Sequence, residues 1–62
     1  MHTVRILFKD GTFIDVKDVK KWVLDNEFNI FELQKEDHIL MIPRDTVKAI
    51  GYAEDFRRRD YD

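Results

Sequence analysis

Cysteine and serine are absent from this 62-residue chain, which contains only two glycines and one proline. The absence of cysteine excludes disulfides and thiolate metal sites. The absence of both residues also removes the commonest side-chain nucleophiles, so His38 has no such group to activate. The chain has no glycine-rich phosphate loop either. We therefore expect the protein not to be an enzyme and to need no cofactor.

No charge of one sign dominates the composition. Lysine and arginine number 11 and aspartate and glutamate 13, which gives a net charge of −2. The chain therefore has no basic field with which to grip duplex DNA. The two histidines, His2 and His38, are too few and too far apart in sequence to suggest a metal site.

Long apolar runs are also missing, so we expect no membrane-spanning segment. The first three residues lead directly into the strand-forming run at residues 4–8, a pattern that does not fit a signal peptide and favours a cytoplasmic location. A chain of this size makes one domain and buries only about 60% of its unfolded surface. Oligomerisation or very close packing would then have to supply the missing stability.

The strongest local signal is Asp10-Gly11, which separates two runs rich in strand-forming residues, 4–8 and 12–16. A type I′ turn needs positive φ angles, which glycine tolerates, so this pattern predicts a β-hairpin.

The next segment, residues 17–26, supports two interpretations. Val19, Trp22 and Val23 would share one face of a short helix capped by Asp18. One long bent strand fits the same residues. We expect the bent strand, with a single helical turn as the alternative.

Three further strands are predicted at residues 28–34, 38–42 and 47–52. Pro43 cannot donate a backbone hydrogen bond and so ends the second of these strands, and the three residues after it form a tight 3₁₀ turn. The expected fold is all-β, a small five-stranded antiparallel barrel spanning residues 1–52. Residues 53–62 are mostly charged and are expected to form a frayed or loosely docked tail.

Two segments resemble the sequence motifs of the Sm-like proteins, which are SH3-like small barrels. The first Sm motif has an aspartate and, after three residues, an asparagine preceded by an apolar residue; Asp25, Phe28 and Asn29 match it. The second motif, apolar-Arg-Gly-Asp/Asn-x-apolar, is similar to residues 42–47. There Asp45 matches, while a proline replaces the motif's arginine and an arginine replaces its glycine.

The resemblance covers residues 4–52 and implies a homo-oligomer in which the fourth strand of one subunit pairs with the fifth of the next. It also implies that a nucleotide or single-stranded RNA binds at the loops that carry the motifs. In such a site an aromatic ring stacks on a base, amide and carboxylate groups pair with base edges, and an arginine contacts phosphate. The implied ligand-binding residues are Asp25, Phe28, Asn29, Arg44 and Asp45.

These residues also have simpler interpretations. Residues 25–29 can be a polar turn between strands, and Phe28 can be a packing residue. Trp22 is expected to be partly buried, and if exposed it would be the best partner-binding anchor. The run Arg57, Arg58 and Arg59 can contact phosphate or an acidic partner, or can belong to a solvated tail whose neighbouring acids cancel its charge.

Two hypotheses for function follow. The first is a non-catalytic, homo-oligomeric binding module for a nucleotide or single-stranded RNA. The alternative is a protein–protein interaction module or inhibitor, of the compact kind that phages and mobile elements encode, which would use Trp22 or the arginine run.

Overall fold

The computed structural model describes the backbone of residues 1–59 and the side chains of residues 1–56. Along this part of the chain the structure is mostly β-strand and ends in one short helix, so the all-β class is confirmed. The elements are β1 (His2–Phe8), β2 (Phe13–Val19), β3 (Lys21–Asp25), β4 (Ile30–Gln34), β5 (Ile39–Pro43), a 3₁₀ turn (Arg44–Thr46), β6 (Val47–Tyr52) and α1 (Ala53–Arg59).

The strands form two antiparallel sheets of three strands each. One sheet has the order β2-β1-β6 and the other the order β3-β4-β5. No strand ladder joins the two sheets within the described residues. The expected closed barrel is therefore not seen, and β5 and β6 each have a strand neighbour on one side only.

The predicted hairpin between β1 and β2 is confirmed, but its turn is not the expected type I′, because Gly11 has a positive φ and Asp10 does not. Gly11 has a φ of 94°, and its N–H donates to the carbonyl of Phe8 at 3.0 Å. The Asp10 carboxylate accepts hydrogen bonds from the Thr12 N–H at 3.0 Å and from its hydroxyl at 2.7 Å. The turn thus needs glycine for its backbone and aspartate for its hydrogen bonds.

Residues 17–25 lie in β2 and β3 except for a bend at Lys20, and Asn26 begins a turn, so the helical alternative is wrong for this segment. Only Lys20 separates β2 from β3, and the chain bends there as expected. Asp18 has a φ of 59°, a left-handed conformation that aspartate tolerates better than most residues. The Lys20 N–H donates to the carbonyl of Gln34 at 2.7 Å, which holds the bend against β4. This bend divides the expected long strand in two, and the strand count becomes six instead of five.

The core lies between the two sheets and is small. Its buried side chains come from β1, β2 and β4, and each apolar side chain of this size contributes about 1.5–3 kcal/mol when it leaves water. They are Val4, Ile6, Val19, Phe31 and Leu33. In β1 and β4 the buried residues alternate with residues on the outer face, as a strand with one buried face requires.

The segment after β6 was expected to be a frayed or loosely docked tail; fraying is wrong for Ala53–Arg59, which form α1. The helix packs on β1 and β6. A Cβ on Gly51 would lie only 3.4 Å from Cε1 of Phe56, so the missing side chain lets the Phe56 ring lie close to the strand. No helix in the described part of the chain is long and apolar enough to cross a membrane.

Candidate functional site

Two turns meet at one end of the β3-β4-β5 sheet, and together they contain all five residues predicted to bind a ligand. The first turn joins β3 to β4 and the second is the 3₁₀ turn after β5. We call residues 25–29 and 44–46 the Asn29 corner. Strand β4 begins at Ile30 and not at residue 28 as predicted, because Asn29 has a φ of 58° and leaves the extended conformation.

Asn29 links the two turns. Its carbonyl accepts a hydrogen bond from the N–H of Arg44 at 3.0 Å, and its side-chain Nδ2 donates to Oδ1 of Asp45 at 3.3 Å. Within the second turn the hydroxyl of Thr46 donates to the carbonyl of Pro43 at 2.9 Å. Residues sixteen positions apart in sequence therefore hold the corner in one conformation.

The Asp25 carboxylate stabilises the first turn. Its Oδ1 accepts hydrogen bonds from the backbone N–H groups of Glu27 at 3.0 Å and Phe28 at 3.2 Å. Oδ1 of Asp25 thus stabilises a polar turn, as the simpler interpretation predicted. The Asn29 amide also makes its hydrogen bond within the protein, to Asp45. The hydrogen bonds of these two side chains therefore stabilise the conformation of the corner.

Phe28 and Arg44 are the exposed aromatic and cationic side chains of the corner. Phe28 is 67% exposed, whereas Phe31, three residues later, is in the core. Arg44 is exposed, and its guanidinium makes no hydrogen bond or ion pair within the described residues. An aromatic face and a cation at neighbouring turns can stack on a planar group and contact an anion beside it.

Charge at the corner is mainly negative. Its ionised side chains are the carboxylates of Asp25, Glu27 and Asp45 and the single guanidinium of Arg44. A polyanion would be attracted by one group and repelled by three. The described residues contain no group of three His, Asp or Glu side chains that could hold a metal ion.

The residues predicted to bind a partner lie elsewhere. Trp22 is half-buried, as expected, and packs edge-on against Phe31 with ring centroids 5.9 Å apart. It also lines a groove of about 510 Å³ beside β6. Arg57, Arg58 and Arg59 belong to the last turns of α1, but their side chains lie outside the described part of the structure, as do residues 60–62.

Sequence reasoning missed a charged cluster on the outer face of the β2-β1-β6 sheet. Arg5 donates to both carboxylate oxygens of Asp15, at 2.8 and 2.9 Å, and this hydrogen bonding lowers the pKa of Asp15 and raises that of Arg5. The guanidinium carbon lies 4.6 Å from the centroid of the Phe13 ring and 6.0 Å from that of Phe56. The hairpin could have revealed the ion pair, because residues equidistant from its turn face each other.

Two exposed apolar side chains on β5 were also missed. Ile39 is 48% exposed and Met41 is 62% exposed, and both point away from the core on a strand with an open edge. The structure shows them alternating with half-buried Leu40 and Ile42, whereas in sequence residues 39–42 are a continuous apolar run with no alternation to read.

Comparison with protein-family models, with curated proteins and with solved structures finds no match for this chain.

Proposed function

We propose that this chain is a non-catalytic binding module built as a small SH3-like or Sm-like barrel, and that it binds a nucleotide or single-stranded RNA at the Asn29 corner. The fold supports the proposal through its order of elements: a hairpin, a strand bent at Lys20, a three-stranded meander and a 3₁₀ turn before the last strand. This is the order expected of such a barrel, with its two sheets meeting at the bend.

The observation that carries the ligand assignment is the exposed ring of Phe28 on one turn and the exposed Arg44 on the turn bonded to it. Asn29 fixes both residues, because Phe28 precedes it in the chain and the backbone of Arg44 is bonded to it at 3.0 Å. Stacking of a base on an aromatic ring is worth about 1–3 kcal/mol. The surrounding carboxylates disfavour long runs of phosphate contacts, so the bases, and not the backbone, would supply most of the affinity.

The binding test uses fluorescein-labelled oligouridylate and oligoadenylate and follows fluorescence anisotropy. Phe28→Ala should weaken binding about 5- to 100-fold, which is the loss of one stacked base. Phe13→Ala is the matched control, since Phe13 is also exposed but lies on the other sheet. Arg44→Gln should reduce the dependence of log affinity on log salt by about 0.7, the value for one phosphate contact. Lys35→Gln is its charge control.

The proposal fails if neither oligonucleotide binds at low salt. It also fails if Phe13→Ala and Phe28→Ala lose affinity equally. Competition by unlabelled mononucleotides separates the two ligand classes: a nucleotide site is saturated by a mononucleotide, whereas an RNA site needs several linked bases.

Self-association through strand edges is part of the proposed function, and we propose the edge of β5 as the contact. The open edge of β5 offers unpaired backbone groups, and Ile39 and Met41 beside it expose apolar surface. Such edges pair with other chains unless they are blocked. Two copies of β5 can pair antiparallel about a two-fold axis, which makes the same surface serve both subunits.

A protein–protein interaction module is the second candidate. The groove beside β6 favours it, because Trp22 contributes one of its walls. An inhibitor of the kind encoded by phages or mobile elements would be one form of this function.

A further inference from the structure

The free edge of β6 lies beside a groove between the two sheets. Strand β6 pairs with β1 on one side, and in the described residues no strand pairs with its other side. Alternate N–H and C=O groups of a strand point to each side. Those of β6 that point away from β1 therefore face the groove without a strand partner.

The groove has walls from both sheets and from the helix. It is lined by Trp22 of β3, by residues 49–52 of β6, and by Asp55 and Phe56 of α1, and its volume is about 510 Å³. Trp22, Tyr52 and Phe56 give it an aromatic lining, and Gly51 leaves the middle of the strand edge without a side chain. This volume falls in the range of ligand sites in proteins, and its length follows the strand.

The Asp55 carboxylate is the one ionisable carboxyl or amino group among the lining residues. It is exposed and lies in the first turn of α1. An occupant that follows β6 would reach it after passing the aromatic walls. A basic side chain at that point would complement its charge.

We propose that this groove binds an extended peptide segment of another protein, which adds to β6 as an antiparallel or parallel strand. The segment places one large apolar side chain against Trp22, another against Phe56, and a lysine or arginine near Asp55. Main-chain hydrogen bonds supply affinity and the alternate side chains supply specificity, as in other cases of strand addition. The site is separate from the Asn29 corner; the inference rests on the second candidate function, to which it adds a partner class and a mode of binding.

The experiment selects binders from a phage-displayed library of random linear peptides on the full chain, with selection repeated on Phe56→Ala and Asp55→Lys. Enriched peptides are synthesised and titrated while the emission of Trp22, the only tryptophan, is followed. Phe56→Ala should weaken them by about tenfold. Asp55→Lys should lower the affinity for peptides that carry the basic residue. It should raise the affinity for the same peptides in which glutamate replaces that basic residue.

Amide hydrogen exchange, measured residue by residue on the isotope-labelled protein, tests whether the peptide pairs with β6. Added peptide should protect alternate amides of β6, those that point away from β1, and leave the amides already bonded to β1 unchanged. Phe28→Ala is the matched control and should bind the peptides as the unmodified protein does, so failure here and failure at the Asn29 corner are distinguishable.

Three outcomes would overturn the proposal. One is that no peptide is enriched over an unrelated protein surface. Another is that the enriched peptides depend on Phe28 and leave β6 exchange unchanged. The third is that the same β6 amides are already protected in a homo-oligomer without peptide, which would make a second copy of the chain the occupant.

Discussion

Asn29 adopts a left-handed backbone conformation and also makes the hydrogen bonds that link two turns. Its φ of 58° lies in the left-handed region, which costs most L-residues about 1–2 kcal/mol, and asparagine is one of the few side chains that adopt it readily. The same residue bonds to two of the three residues of the neighbouring turn, Arg44 and Asp45. The shape of the corner therefore depends on this residue more than on any exposed side chain in it.

This leads to a prediction for two substitutions. Asn29→Ala should destabilise the protein by about 1–2 kcal/mol, because alanine keeps the cost of the left-handed backbone. Asn29→Gly should cost less, since glycine adopts that backbone freely. Both lose the contact with Asp45, so urea unfolding of the two variants isolates the backbone contribution. Equal midpoints would show that φ at this position carries no strain.

The residues of the corner were identified from sequence, but their roles were not. The spacing of Asp25, Phe28 and Asn29 marks a turn, and Pro43 marks the next one, because both depend on local chemistry. Sequence cannot tell which polar atoms are used inside the protein. That depends on the turns meeting across sixteen residues, where Asn29 bonds to Asp45 while Phe28 and Arg44 stay exposed.

At the scale of elements, two carboxylates stabilise the β1–β2 hairpin: Asp10 within the turn and Asp15 in an ion pair with Arg5 across the strands. Hydrogen bonding from Thr12 lowers the pKa of Asp10, and hydrogen bonding from Arg5 lowers that of Asp15. A carboxyl whose pKa is lower in the folded state stabilises the protein above its unfolded pKa. That contribution disappears as pH falls through the folded pKa.

We therefore expect the free energy of unfolding to decrease as pH falls below about 4, the ordinary range of aspartate. The double variant Asp10→Asn, Asp15→Asn should be less stable near neutral pH and lose less on acidification. Asp37 adds to the acid sensitivity of the wild type, since hydrogen bonding with His38 lowers its pKa as well. Urea unfolding between pH 6 and pH 2 measures the effect. Asp18→Asn is the control, and an unchanged pH profile in the double variant would contradict the prediction.

Elements that depend on residues next to one another in sequence could be predicted. Elements that depend on contacts between residues far apart in sequence could not. Asp10-Gly11 fixes the hairpin and Pro43 precedes the 3₁₀ turn, so both appear where expected. Helix α1 was missed because its docking depends on Phe56 lying over Gly51 of the preceding strand. The division into two sheets was missed because it depends on β6 pairing with β1 and on a bend confined to Lys20.

The whole molecule has little interior with which to stabilise itself. Among the described residues only five side chains are buried, while six large apolar side chains are exposed. Association that covers part of this surface would add directly to stability, because binding that favours the folded state shifts the unfolding equilibrium.

If β5 mediates self-association, thermal stability should depend on protein concentration. The Tm should increase by about 3–6 °C for each tenfold increase in concentration where a dimer forms. Met41→Lys should abolish this dependence, since a lysine at a strand edge discourages pairing. Met41→Leu is the control and should keep it. Sedimentation velocity measures the mass directly, and a monomer at every concentration would rule out the β5 contact.

The pairing of β1 with β6 has a consequence for the order of folding. In this ladder Val4 faces Tyr52, so nearly the whole described chain lies between partners. In the other sheet β3 pairs with β4 and β4 with β5, which are neighbours in sequence. Local pairings form faster than those that close long loops. During synthesis the β3-β4-β5 meander can form as soon as it leaves the ribosome. The β1–β2 hairpin must wait with one edge of β1 unpaired until residue 52 has emerged.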